Sequence, residues 1–318
     1  MEQAQAATLR KILAPLEKPS ITGVVVGGTR SPSGETHAFR YFDGKHEDLG
    51  ALGERLSIAR GVNSSGVVVG LLGPSLASTH AFVFVNGSMR DITSKGAGGR
   101  SFADVITDSG QVLVNTVEPL LGTAHISVYR LDGSMSNLDG LTYKNATGTG
   151  MNISGQICGS YYSLGGEEKA FLYEHGKALE IGTLGGSMSG AWAINVHGMV
   201  VGESRIKPRS RVRHAFSFSG GAMTDLGTLG GVNSVALSVN ASGHVVGRSE
   251  TSAGVDAAFI WENRRMQNLN DLLTRPLPHG IRLREAVAIN DAEQILAEGV
   301  EVSGSTTVTH GYVLTPKQ

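Results

Sequence analysis

Short runs of β-branched and small apolar residues, each closed by glycine, recur along almost the whole chain. Gly66-Val67-Val68-Val69-Gly70 and Gly243-His244-Val245-Val246-Gly247 are two of them. Runs this short and this rich in valine predict buried strands rather than helices. A further apolar run, His80-Ala81-Phe82-Val83-Phe84-Val85, predicts the next strand. Ahead of the valine runs stands Asn-x-x-Gly, at Asn63/Gly66, Asn152/Gly155, Asn195/Gly198 and Asn240/Gly243. Asn tolerates positive φ and Gly adopts it without a Cβ penalty, so the motif predicts tight hairpins. Four residues before that Asn position the side chain is small, at Ala59, Ala103, Gly148, Ala191, Ala236 and Ala286. Small residues there are expected if the strands converge on a crowded axis.

These markers keep a fixed phase. A His-Ala-Phe-like triplet starts at His37, His80, His125, Lys169, His214, Ala257 and His310, in steps of 43, 45, 44, 45, 43 and 53 residues. Asp48-Leu49-Gly50 and Asp225-Leu226-Gly227 close a fourth strand, with Asp91-Ile92 and Asn268-Leu269 as degraded copies. Four short strands in a unit of about 44 residues is the period of a propeller blade. The predicted fold is therefore all-β, a single β-propeller. The first unit holds strands two to four and the last holds strands one to three. That favours seven blades with two incomplete ones meeting at a seam, or six if a seam unit leaves the ring. Residues 20–318 form the predicted propeller and 1–19 an N-terminal extension, with Pro15 and Pro19 limiting any helix in it.

Composition agrees with this and removes other classes. Glycine accounts for 44 of 318 residues, about twice ordinary usage, as a turn-rich chain requires. Lys and Arg number 27 against 28 Asp and Glu, so no global electrostatic footprint for nucleic acid exists. The single cysteine, Cys158, excludes an internal disulfide and a cysteine-rich zinc site. No apolar stretch reaches the length of a membrane span. The segment MEQAQAATLRKILAPLEK lacks the apolar run of a secretory signal. A cytoplasmic protein, or one exported without a cleavable signal, is expected. A mature form given a new Met1 would read the same and be periplasmic or extracellular.

The string His214-Ala215-Phe216, Asp225-Leu226-Gly227-Thr228-Leu229-Gly230-Gly231, Asn240 and Val245-Val246-Gly247 resembles the bacterial HAF-repeat proteins. His37-Ala38-Phe39, His80-Ala81-Phe82 and Gly182-Thr183-Leu184-Gly185-Gly186 repeat parts of it. The likeness spans roughly residues 20–318. It implies a propeller-like repeat fold and little chemistry.

Recurrent polar residues read as architecture. The histidines at 37, 80, 125, 214 and 310 share one repeat position, and bonds to Asp48, Asp91 or Asp225 would satisfy them. No His-Glu-x-x-His, Walker loop or Gly-x-Ser-x-Gly occurs, so neither a metal nor a cofactor is expected. Departures from the repeat point further. Arg205-Ile206-Lys207-Pro208-Arg209-Ser210-Arg211-Val212-Arg213 places five cations in nine residues with no acid. Ser160-Tyr161-Tyr162-Ser163-Leu164-Gly165-Gly166-Glu167-Glu168 is aromatic and acidic. The connector Leu272–Gly280 is a lid over the channel or a proline-stiffened strap.

The leading expectation is a non-enzymatic interaction module, monomeric, presenting Tyr161, Tyr162, Arg205, Arg209 and Arg211 to a protein or carbohydrate partner. A second is a cofactor-independent enzyme at the channel mouth. There Glu167, Glu168, Glu203 and His279 supply acid and base groups and Arg205 orients an anionic substrate. A third is a toxin-associated effector or immunity protein.

Overall fold

The computed structural model describes residues 23–31, 34–93, 99–118, 123–138, 141, 143, 145–303 and 306–317. The extension 1–19 lies outside them. The first sheet contains β1 (Val25–Arg30), β2 (Thr36–Phe42) and β3 (Lys45–Gly50). One parallel bridge, Thr36 to Leu56, joins it to β4 (Leu56–Val62), β5 (Val68–Ser75), β6 (Ser78–Val85) and β7 (Ser88–Asp91). Then come β8 (Arg100–Ile106), β9 (Gln111–Glu118), β10 (Thr123–Arg130) and β11 (Met135–Asn137), followed by β12 (Thr147–Met151), β13 (Ile157–Tyr162), β14 (Glu168–Glu174) and β15 (Lys177–Glu180). Two further sheets are β16 (Ser189–Ile194), β17 (Val200–Arg205), β18 (Arg213–Ser219) and β19 (Ala222–Gly227), and β20 (Gly230–Val239), β21 (Val245–Thr251), β22 (Asp256–Glu262) and β23 (Arg265–Asn268). The last holds β24 (Arg282–Ile289), β25 (Ile295–Ser303) and β26 (Thr306–Leu314). Apart from that bridge, the strand pairings within the sheets are antiparallel and join neighbours in sequence. Three strands in the first and last and four in the others is the pattern read from the repeat.

The small residue and the valine-run glycine serve one contact. The first strand of six sheets bulges immediately after Ala59, Ala103, Gly148, Ala191, Ala236 or Ala286. At the bulge the backbone leans onto the second strand. A Cβ on Gly70, Gly159, Gly202 or Gly247 would lie within 2.1 Å of a carbonyl oxygen there. Phe82, Phe171 and Phe259, fully buried, press on the same glycines from the third strand. At these positions only glycine fits between the bulged backbone and what packs behind it.

The hairpin Asn has a different reason from the one expected. The glycines of its motif take positive φ, Gly66, Gly155, Gly198 and Gly243 at 76 to 79°, whereas Asn63, Asn152, Asn195 and Asn240 do not. Instead the buried carboxamide oxygen of Asn195 accepts the N–H groups of His197 and Met199, while its Nδ2 donates 2.9 Å to the carbonyl of Asn240 in the next sheet. Asn63 donates likewise to Thr107 O and Asn240 to Asn290 O. Replacing Asn195 by Ala should therefore cost between about 1 and 2 kcal/mol in urea unfolding, because two turn N–H groups and one carbonyl lose their partner together. A loss no larger than that of an exposed control such as Ser242→Ala would contradict this role.

A serine two residues before the small position ties successive sheets again. Ala38 N donates to Ser57 Oγ at 2.7 Å and Ala215 N to Ser234 Oγ at 2.8 Å. Ser57 and Ser234 in turn donate to Gly50 O and Gly227 O. The histidines meet the predicted aspartates: His37 Nδ1 lies 2.9 Å from Asp48, His80 2.9 Å from Asp91 and His214 2.8 Å from Asp225.

The described chain forms two compact units. One comprises the residues up to Gly166 with Phe171–Glu180, the other Glu167–Ala170 with Ile181 onward. In the second unit the long connector is a strap: α1 (Leu269–Leu272) and a 3-10 turn at Pro278–Gly280 flank it, and Leu269, Leu277 and Ile281 are buried in the core with Leu283 and Tyr312. Among the described residues no helix is long and apolar enough to cross a membrane. Cys158 is buried, as its strand position predicts.

Candidate functional site

The residue that follows the second-strand glycine is Gly28, Leu71 and Ser160 in earlier copies, but Glu203 and Arg248 in the two four-stranded sheets of the second unit. Glu298 occupies the same register in the last sheet, after Ala297. Gly190 and Ala215 flank Glu203, and Val235 and Ala258 flank Arg248. A cleft of about 380 Å³ opens there, lined by Glu203, Arg211, Arg213, Asn233, Arg248, Glu250 and Asp256, among others.

Its polar groups form a connected series. Arg213 Nη1 donates to Glu203 Oε1 at 2.6 Å, and the Arg213 backbone N–H donates to Asn233 Oδ1 at 3.1 Å. Asn233 Nδ2 donates to Glu250 Oε1 at 2.8 Å, and Val232 N to the other oxygen at 3.1 Å. Those hydrogen bonds, that from Asn233 first, hold the Glu250 carboxyl below the usual carboxylate range. Arg248 reaches Glu285 at 3.2 Å and stands 3.8 Å from Asp256. Burial pushes the Glu285 carboxyl up, Arg248 opposes the rise, and Glu298 adds to it. Glu298 itself pairs with Arg284 at 3.0 Å. The cleft thus carries an ionised carboxylate at Glu250 and, behind Arg248, a carboxyl that keeps its proton more readily.

A narrow groove lined by Glu168, Ser189, Glu203, Arg205 and Arg213 shares two residues with the cleft. The structure therefore brings together Glu168, Glu203, Arg205 and Arg211 of the residues expected from sequence. Arg205 Nε is buried without a hydrogen-bond partner, and Arg211 is exposed and makes no ion pair among the described residues. Arg209 is an exposed loop residue at φ 59°. Glu167 pairs with Lys169 at 3.4 Å. His279 sits in the 3-10 turn, and its side chain lies outside the described residues. The tyrosines belong to the first unit and are not a matched pair. Tyr161 stacks on Tyr143 at 3.9 Å and donates to Glu180 at 2.6 Å, which binds it into the fold, while Tyr162 is exposed. Burial, then that bond to Glu180, raises the Tyr161 hydroxyl above its ordinary range.

Sequence reasoning missed Asn233, Arg248, Glu250, Asp256 and Glu285. The available signal was the charge after the second-strand glycine, a departure confined to the C-terminal copies. Among the described residues no group of three His, Cys, Asp or Glu side chains is placed to hold a metal.

No family model matches the chain, and no curated protein matches it. Solved structures do. The β-propeller domain of the Trilobed protease from Pyrococcus furiosus matches 94% of this chain and 95% of its own at TM-score 0.60 and 10% identity. A puromycin-hydrolyzing peptidase of Mycobacterium tuberculosis matches 94% of this chain and 53% of its own, at TM-score 0.57 and 12% identity. The acylaminoacyl peptidase of Pyrococcus horikoshii matches 95% and 51%, at TM-score 0.59 and 10% identity. This chain spans about half the length of those two peptidases. The fold is a β-propeller. The expectation of a non-enzymatic interaction module is corrected by the same comparison, since the three propellers named here belong to two peptidases and a protease.

Proposed function

We propose that the chain is an enzyme-type propeller that acts on small charged substrates in the acid–arginine cleft of its second unit. One observation carries this reading: three carboxylates, Glu203, Glu250 and Asp256, and three guanidiniums, Arg211, Arg213 and Arg248, line one cavity of about 380 Å³. Carboxylates beside guanidiniums can take up and return a proton while an anionic group is held. Glu203, fixed by Arg213, is the acid–base residue in this reading. Glu250, ionised by its hydrogen bonds, receives a cationic group of the substrate, and Arg211 receives an anionic one. Hydrolysis of an amide is the reaction to try first, because the peptidases named above share the fold. The same reading takes residues 20–318 as one HAF-repeat propeller of seven blades, in keeping with the sheets of three, four, four, four, four, four and three strands.

The test is turnover by the purified chain of alanine p-nitroanilide, dialanine and alanylglutamate. Wild type should hydrolyse at least one, and Glu203→Gln should lose about ten-fold or more of that rate with an unchanged melting temperature. Absence of turnover for all three, or a Glu203→Gln rate equal to wild type, would overturn the proposal.

A further inference from the structure

The first unit contains a second cavity, of about 360 Å³, lined by His80, Thr93, Ser101, Thr116, Tyr129 and Met135, among others. That volume lies within the range of small-molecule sites. It is built on one of the three His–Asp pairs, and this copy departs from its sisters. After Asp48 and Asp225 the chain reaches Gly50 and Gly227, both at φ 74°, whose N–H groups return to the aspartate at 2.8 Å. After Asp91 the same position is Thr93, whose N–H makes the same bond at 2.9 Å. The threonine adds a hydroxyl that glycine cannot. Ser101 Oγ at 2.8 Å and Ala81 N at 3.1 Å donate to Thr93 Oγ1, which donates in turn to Asp91 at 3.3 Å, where Ser57 and Ser234 donate to a glycine carbonyl.

The imidazole is oriented for a ligand. Asp91 accepts the Nδ1–H of His80 at 2.9 Å, which leaves the lone pair of neutral imidazole on Nε2. Nε2 has no hydrogen-bond partner among the described residues, nor does the Thr116 hydroxyl. No Asp, Glu, Lys or Arg lines the cavity among the described residues, so a charged ligand would be desolvated without a counter-charge. Tyr129, buried, and Met135 supply an apolar wall. One acceptor, several hydroxyls and an apolar face suit a ring that is hydroxylated at its edge.

We propose that this cavity binds a neutral, hydroxyl-bearing small molecule of monosaccharide or cyclitol chemistry, held by His80 Nε2 and the Thr116 hydroxyl. The site is independent of the acid–arginine cleft.

The experiment is saturation-transfer NMR with calorimetry on the full chain, using methyl β-D-glucopyranoside, methyl α-D-mannopyranoside, L-fucose and myo-inositol, with glucuronate as the charged counterpart. At least one neutral probe should bind and glucuronate should not. Affinity should fall about ten-fold in His80→Gln and in Thr116→Val, the loss of one good hydrogen bond. His214→Gln, which breaks a sister pair, should leave it intact. Failure of every neutral probe to bind, equal binding of glucuronate, or equal losses in His80→Gln and His214→Gln would each overturn the proposal.

Discussion

Replacing Gly247 by alanine should cost about 3 kcal/mol of stability, whereas the same change at Gly254 should cost about 1. The two glycines sit in one sheet and fail for different reasons. A Cβ on Gly247 would stand 2.0 Å from Val235 O and 3.0 Å from Phe259 Cε1. The carbonyl belongs to the bulged strand β20, and Phe259 is fully buried, so neither flank has room to retreat. Gly254 has φ 72° and nothing within 4 Å of the added carbon, so only backbone strain opposes it. Urea unfolding of the two variants measures the difference, with an unchanged slope confirming that the same surface is exposed. Losses equal within about 1 kcal/mol would mean that the bulge relaxes and that the glycine is not the device closing the strands together.

That contact explains why so much of the fold is legible from sequence. A bulge, a glycine and a phenylalanine coincide in four copies, at Gly70 and Phe82, Gly159 and Phe171, Gly202 and Phe216, and Gly247 and Phe259, so those copies write the same letters at the same spacing, while Val114 and Ala297 take the glycine position in two others. The Ala236, Gly247 and Phe259 positions are all satisfied within one sheet. Side chains that bond between sheets are harder to interpret. The Asn-x-x-Gly motif is visible, yet its reading as a turn residue alone is incomplete, because the partner carbonyl of Asn195 lies 45 residues downstream. Ser57 and Ser234 are unremarked in the sequence for the same reason: a serine in a strand carries no signal until its neighbour in the next sheet is known.

The candidate site shows the opposite balance. Glu203 and Arg211 stand out as departures from a repeat, and both reach the cleft. Arg248 carries the same departure as Glu203, whereas Glu250 and Asp256 sit in ordinary polar positions of β21 and β22 and join the site only because Asn233 and Arg213 bridge two sheets. Tyr161 depends on a partner its own segment does not contain: Tyr143, 18 residues earlier in the chain, stacks on its ring, while Tyr162 stays exposed. Composition exposes unusual residues, while convergence of ordinary ones depends on a register that no single segment records.

Arg248 is where the cleft and the fold depend on each other, and Arg248→Met should be destabilised by about 2 kcal/mol at neutral pH. Breaking a buried ion pair from one side leaves a charge without compensation, and the full cost is reduced here because Arg248 is 40% exposed. The charge left behind is that of Glu285, which also faces Glu298, Arg284 and Asp256. Burial raises this carboxyl, so the folded protein holds its proton more tightly than the unfolded chain does. Stability therefore increases as pH falls through the window between the ordinary glutamate value and the raised one. Losing Arg248 removes the largest opposing influence, which moves the upper edge of that window higher and deepens the deficit above it. The deficit of Arg248→Met should shrink in mildly acidic buffer, and adding Glu285→Gln to it should restore most of the loss at neutral pH. Denaturant midpoints for the two single variants and the double variant, each at neutral and acidic pH, decide the matter. A deficit that is the same at both pH values, and that persists in the double variant, would assign Arg248 to packing through its methylene stem rather than to the charge of Glu285.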